Sequence, residues 1–425
     1  MDTLTFAAVA LAVLGYGLVS GRLENSIVTP PMVFVLFGLG AASHGLGIVD
    51  LSLEAELIHL IAEVTLVLVL FTDASRIDLR LVKSDHNLPI RLLAIGLPLT
   101  IVAGTAVGAF MFPGLGFWEV ALLAAILAPT DAALGQAVVS SRLVPVRIRQ
   151  ALNIESGLND GIALPAVLFI ACLASAANDV RDAADWITFG VSQVTLGPLV
   201  GVAVGYVGGK LVDRASTNGW MTEAFQGLSA LALALVAFAL AELVHGNGFI
   251  AAFAAGLTVG NTARQHCKFL FEFAEAEGQL LTLLIFMIFG AVLVPEAIAH
   301  VNLMTVLYAV LSLTVIRMVP TGLSLIGSGV SAPTALFLGW FGPRGLASIL
   351  FALLVIEDAE LAAREEILAI TVVTVLFSVF AHGLTAVPAA RRYARYLEHH
   401  KTGAMEHEAC TELPTRIARF GRRRA

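Results

Sequence analysis

Apolar windows follow one another along the whole chain, from Leu4–Ser20 to Ile367–Ala389, separated mainly by short polar connections. A bilayer span needs about 20 apolar residues, and fewer where Pro or Gly interrupts it. Lipid offers no partner to backbone amides, so only helices and closed barrels can cross it, and unbroken apolar runs of this length read as helix. The expectation is an all-α polytopic membrane protein with about thirteen transmembrane helices. Of the 425 residues 58% are hydrophobic and 13% charged, against roughly 25% charged in a soluble domain.

Basic residues in the connections set an orientation, because loops on the cytoplasmic side carry the excess of Lys and Arg. With the amino terminus outside, the inner loops hold Arg22, Arg76, Arg80, Lys83, Arg142, Arg147, Arg149, Lys210, Arg214, Arg264 and Lys268. The outer loops hold only Arg181 and Arg364, together with the acidic Asp179, Asp182, Asp185, Glu357, Asp358 and Glu360. This predicts an integral inner (plasma) membrane protein with its amino terminus outside and its carboxy terminus in the cytoplasm. The first window has no basic leader or small-residue cleavage site, so it is expected to remain as a span. No linker divides residues 1–390, which read as one transmembrane domain. Residues 391–425 read as a short basic cytoplasmic tail whose Arg422, Arg423 and Arg424 can meet anionic lipid. Cys172, Cys267 and Cys410 form neither a disulfide framework nor a metal spacing. The net charge of −7 gives no reason to expect a nucleic-acid partner, since most basic residues are juxtamembrane anchors.

Two windows carry helix breakers in their middle. The fifth has Pro129, and the twelfth has Gly339, Gly342, Pro343 and Gly345. Proline in a span frees backbone carbonyls for a cation or a neighbour. Seven spans separate the two, so they cross in opposite directions, as an inverted repeat requires, and transporters place their sites where such broken helices meet.

The same layer holds the charges. Asp131 follows Pro129 and Thr130, while Glu155, Ser156, Asn159 and Asp160 lie on the sixth span. Ionisable groups in the hydrocarbon region are costly and mark ion paths. Ser156 and Asp160 are four apart and share a helix face. Hydroxyl, carbonyl and carboxylate oxygens suit a hard cation such as sodium. The candidate cation and proton ligands are therefore Asp160, Asp131, Ser156 and Thr130, with Glu63 of the third span as a further oxygen. Arg317 and Arg344 also lie deep, and a buried guanidinium needs a carboxylate. Glu155 is expected to bridge to Arg344, which leaves Arg317 without an assigned role. His44, His59, His245 and His382 are expected to be interfacial or packed rather than to sense pH.

The runs Ala128-Pro-Thr-Asp131, Glu155-Ser-Gly-Leu-Asn-Asp160-Gly and Trp340-Phe-Gly-Pro-Arg344-Gly resemble the monovalent cation:proton antiporter superfamily, and the Asn-Asp pair its sodium/proton exchanger branch. The resemblance implies an inverted-repeat antiporter fold with crossing helices 5 and 12, and a homodimer. It implies Asp160 as the carboxylate that takes cation or proton, a site completed by Thr130, Ser156, Asp131 and Glu63, and the Glu155 to Arg344 bridge. The branch commonly has Pro after its Thr-Asp pair, where this chain has Ala132.

The function expected is secondary exchange of a monovalent cation, sodium first, for a proton by alternating access, with no cofactor and no enzymatic step. Asn159 carries no titratable group, which favours one-for-one exchange without net charge. A cation channel and a potassium/proton exchanger use the same oxygens. An intramembrane aspartyl protease would pair Asp131 with Asp160, but the Tyr-Asp and Gly-x-Gly-Asp patterns of such enzymes do not occur.

Overall fold

The computed structural model describes residues 3–23, 26–42, 45–47, 56–79, 87–176, 183–263, 268–358, 361–399 and 406. Among them, nine helices are long and apolar enough to cross a membrane, and four shorter apolar helices supply the rest of the thirteen windows. In chain order the helices, some of them halves of one span, are α1 (Thr3–Leu23), α2 (Pro30–Ala41), α3 (Glu56–Ser75), α4 (Asn87–Met111), α5 (Phe117–Ile126), α6 (Ala132–Val139), α7 (Val146–Ala176) and α8 (Ala183–Thr217). There follow α9 (Glu223–Leu243), α10 (Gly248–Thr262), α11 (Lys268–Ile288), α12 (Leu303–Leu313), α13 (Val315–Ser324), α14 (Ala332–Trp340), α15 (Leu346–Asp358) and α16 (Arg364–His399). The fifth span is α5 with α6, and the twelfth is α14 with α15. Both are interrupted where the breakers lie.

The helices pack as two groups. In the first, α10 runs between α3 and α8, while α9 and α11 pack beside them and α2 lies on α11. Small residues set the spacing here. A Cβ on Gly201 of α8 would stand 2.2 Å from the Ala251 carbonyl oxygen, and one on Gly256 of α10 would stand 2.1 Å from that of Phe71. Close backbone approach replaces the hydrophobic drive that lipid does not provide, and makes this group a scaffold.

The second group is a bundle of two triplets: α4, α5/α6 and α7, then α12/α13, α14/α15 and α16. The unwound segments 127–131 and 341–345 face each other at its centre. Asp131 N–H donates to the Pro343 carbonyl at 2.8 Å, joining the two breaks directly. The bundle meets the scaffold through α7 and α15 against α3, and through α7 against α8.

Two spans contain a π-helical turn, Leu92–Gly96 in α4 and Phe289–Leu293 at the end of α11. Pro98 and Pro295 follow two residues later. Each lacks the N–H that would close the preceding turn, and one extra residue in that turn absorbs the mismatch. The last helix passes residue 390 unbroken and buries Tyr393 and Leu397 against the bundle. Residues 400–405 and 407–425, where most of the expected tail falls, lie outside the described residues.

Candidate functional site

The broken spans present four helix ends in one layer, and each end is capped by a side chain. At the end of α5, Arg344 donates through Nη1 to the carbonyls of Ala128 and of Pro129, the latter at 3.1 Å, and Ser348 Oγ donates to that of Ile126 at 2.8 Å. At the starts of α6 and α15, a single carboxylate serves both. Asp131 Oδ1 accepts from the amides of Ala133 (2.6 Å) and Leu134 (3.3 Å), and Oδ2 accepts from Leu346 (2.6 Å). An acid at helix starts and a guanidinium at a helix end oppose the helix dipoles. The fourth end, that of α14, is met by His382 of α16.

Local sequence explains the arrangement. Asp131 stands in the N-cap position of α6, where a side-chain oxygen satisfies amides that the helix cannot. Ala132 is the first residue of α6, so the break forms at Pro129 without the second proline common in the resembling branch. Gly345 leaves the space that Asp131 fills, since a Cβ there would lie 2.1 Å from Oδ2.

The face of α7 that meets this break carries the polar candidates. Asn159 Nδ2 donates to the Thr130 carbonyl (3.1 Å) and to its Oγ1 (2.6 Å). Thr130 Oγ1 lies 3.3 Å from Ser156 Oγ. Thr130, Ser156 and Asn159 are thus joined, and Asp160 shares the face of Ser156 with only 9% of its surface exposed. Asp131 is in the same layer, with both carboxylate oxygens on backbone amides. This also weakens the protease reading, which needs Asp131 to share a proton with Asp160 and activate water.

The expected Glu155 to Arg344 bridge does not form. Glu155 Oε1 pairs with Arg317 Nη2, and both side chains are buried. The physical reason lies in the caps: the Arg344 guanidinium is drawn to the carbonyls freed at the end of α5. Arg317, on the kinked eleventh span, lies over the unwound part of the twelfth, where a Cβ on Gly342 would come within 2.4 Å of its Nε. Ser348, Ser378 and His382 bring to the crossing three side chains that none of the sequence motifs marks for a role there. Their only sequence signal is a polar residue recurring on one face of an apolar helix, as in Ser378, His382 and Thr385.

The space on the two sides of the layer is unequal. A cavity of about 950 Å³ lies between scaffold and bundle, lined by Glu56, Glu63, Gln193, Glu242 and Asn247 together with apolar residues such as Leu164, Leu168 and Phe351. Leu164 is one helical turn beyond Asp160, and Glu63 stands on the scaffold wall. On the other side, Asp73, Arg76, Ala132, Asn153 and Gly157 line a crevice of about 20 Å³, room for about one water.

A family model described as sodium/hydrogen exchanger, transmembrane, matches residues 8–392. The chain is 28% identical over 400 residues to the Na(+)/H(+) antiporter NhaP of Pseudomonas aeruginosa, covering 86% of this chain and 90% of that protein. It is 28% identical over 338 residues to the K(+)/H(+) antiporter NhaP of Alkalimonas amylolytica, covering 79% of this chain but only 57% of that longer relative. Its fold matches the sodium proton antiporter MjNhaP1 from Methanocaldococcus jannaschii at pH 8, with a TM-score of 0.76 and 20% identity over 92% of this chain and 98% of that one.

Proposed function

Since the chain belongs to the sodium/hydrogen exchanger family, we propose that it is a secondary antiporter exchanging one monovalent cation, sodium first, for one proton by alternating access. The observation that carries this reading is the charge of the crossing layer. Asp131, Glu155 and Asp160 set three carboxylates against the guanidiniums of Arg317 and Arg344, which leaves one negative charge for one sodium ion or one proton to balance. Glu155 is committed to Arg317 and Asp131 to the helix starts. We assign cargo to Asp160, with Ser156 and Thr130 supplying further oxygens and Glu63 drawing cations into the cavity. Asp131 acts from its caps rather than as the cargo carboxylate.

Proton and cation compete for one carboxylate, and competition couples their fluxes. The empty layer carries an uncompensated charge that low dielectric penalises during movement, while the loaded layer does not. Reorientation is a rocking of the bundle against the scaffold. With the amino terminus outside, the wide cavity faces outward and the crevice of Asp73 and Arg76 is the closed inner side. A second copy of the chain is the expected partner, in the inner membrane. Potassium is the second reading for the cation, favoured by relatives named as K(+)/H(+) antiporters.

The test is a pH gradient in liposomes containing the purified protein, challenged in turn with sodium, lithium and potassium. Wild type is expected to dissipate the gradient on cation addition without generating a membrane potential, and Asp160→Asn to do neither. A mutant equal to wild type refutes the assignment, and a potential generated by wild type refutes the one-for-one stoichiometry.

A further inference from the structure

Of the four helix ends at the crossing, three are held by Arg344 and Asp131, and the fourth depends on a residue that has no part in the exchange described above. His382 is 1% exposed on α16, and its Nε2 lies 2.8 Å from the Trp340 carbonyl oxygen at the end of α14. A carbonyl only accepts, so Nε2 carries a proton and donates it. With the proton on Nε2 the other ring nitrogen, Nδ1, is an acceptor: it lies 3.1 Å from Ser378 Oγ, which can donate to it, and its 3.0 Å approach to the Ser378 carbonyl, a second acceptor, makes no hydrogen bond. Ser378 Oγ in turn accepts the Arg344 backbone N–H at 2.7 Å. With the hydroxyl donating to Nδ1, a continuous chain results: Arg344 N–H to Ser378, Ser378 to His382, and His382 to Trp340. It encloses the unwound segment from both ends.

The surrounding packing fixes the ring. The Trp340 indole lies tilted over the imidazole with centroids 4.9 Å apart, and its Nε1 donates to Thr385 Oγ1 at 3.0 Å. Ser378, His382 and Thr385 stand at i, i+4 and i+7 on one face of α16, so one helix face seats the whole break.

We propose that His382 is a positioning residue of the transport cycle, which ties both ends of the break in the twelfth span to the last helix so that α14, α15 and α16 move as one body. The proposal rests on the antiport reading, and His382 touches no cargo. Its effect reaches the site through Arg344: the backbone it helps to hold carries the guanidinium that pins the carbonyls of Ala128 and Pro129, and Thr130 is the next residue. Slackening the tie loosens Thr130 and weakens cation binding before it slows reorientation.

The experiment compares His382→Ala, His382→Gln and His382→Leu in the full chain. Glutamine keeps a donor that reaches the Trp340 carbonyl, while leucine fills space without one. Two readouts are taken: hydrogen exchange of peptides covering residues 340–346 in purified protein, and the split between apparent cation KM and maximal rate in liposomes. His382→Ala and His382→Leu are expected to speed exchange of these amides at least about tenfold, as loss of a buried hydrogen bond implies, and to raise KM more than they lower the maximal rate. His382→Gln is expected to recover most of both. The proposal is overturned if leucine recovers as much as glutamine, which means the ring only fills space, or if the folded variants keep wild-type protection and KM. Should alanine fail to fold, the glutamine and leucine pair decides. Failure of wild type to exchange any cation removes the antiport reading, and amide protection then decides the tie to the break by itself.

Discussion

The Glu155 to Arg317 pair yields the sharpest quantitative prediction, because it opposes the Arg344 pairing that spacing alone suggests. The residue exposures are 2% for Glu155, 1% for Arg317 and 0% for Arg344. Removing one partner of a buried pair leaves an uncompensated charge and costs about 3–5 kcal/mol, whereas removing both is often nearly neutral. Arg317→Met and Glu155→Gln are therefore each expected to destabilise strongly, and the double variant to recover, giving a coupling on the order of 3 kcal/mol. Arg344→Met leaves the carbonyls of Ala128 and Pro129 without their donor, at about 1–3 kcal/mol each, and Glu155→Gln does nothing to repair that. Its coupling to Glu155 is expected to stay below about 1 kcal/mol. The assay is a double-mutant cycle on denaturation of purified protein in detergent. A larger coupling of Glu155 to Arg344 than to Arg317 refutes the reasoning. Transport adds a second check: Arg317→Met with Glu155→Gln keeps one negative charge in the layer and is expected to exchange, while Glu155→Gln alone leaves none and is expected to lose cation affinity.

Two further perturbations follow from single contacts. Gly345→Ala places a methyl 2.1 Å from Asp131 Oδ2, where the Leu346 amide already holds the carboxylate, so folded yield and melting temperature are expected to fall. Wild-type values for both would show that the crossing is not as tightly packed as described. Outside the membrane, Glu406 accepts from Ser331 N–H and Oγ (2.9 Å each) and from Thr334 Oγ1 (2.6 Å) at the start of α14. Burial pushes its carboxyl up, but the hydrogen bonds from Thr334 and Ser331 outweigh this and hold it below the ordinary value of 4.5. A lowered value stabilises fully above the unfolded-state value and loses that contribution as pH falls through the folded one. The melting difference between wild type and Glu406→Gln is expected to be constant above about pH 5 and to shrink below it. A difference independent of pH removes the contact.

The spans were legible because crossing a bilayer demands length and apolarity, which any order of residues within the window satisfies. The breaks were legible for the opposite reason: Pro129 and the Gly342-Pro343-Arg344-Gly345 run are locally incompatible with helix. Which charge meets which was not. Glu155 and Arg317 are 162 residues apart, and their contact depends on how the eleventh span is rotated beyond its kink at Thr314 (φ −111°, ψ −94°). No local propensity encodes that rotation. The capping role of Asp131 was closer to the surface of the sequence, since an acid between a helix breaker and an apolar run is an N-cap signal. Its membrane setting drew the reading toward a cation ligand, because buried charge is the louder of the two signals. His382 is packed, one of the two expected outcomes, but its value lies in an Nε2 that reaches the end of α14 and an Nδ1 that reaches Ser378 of its own helix, the acceptor of the Arg344 N–H; only the assembled crossing brings Trp340 and Arg344 to them.

The choice of asparagine at position 159 has a geometric reason alongside the electrostatic one. Its Nδ2 donates at once to the Thr130 carbonyl and to Thr130 Oγ1. A carbonyl cannot donate, so an ionised aspartate in that place faces it with two acceptors and no hydrogen. Keeping the contact would then require a proton on the aspartate. The amide thus positions Thr130 without recruiting a proton, which fits the net single negative charge proposed for the layer. In the one-for-one exchange proposed above, stoichiometry and site shape meet in the same side chain: a change that adds a titratable group at 159 also disturbs the oxygen that we assign to the cation.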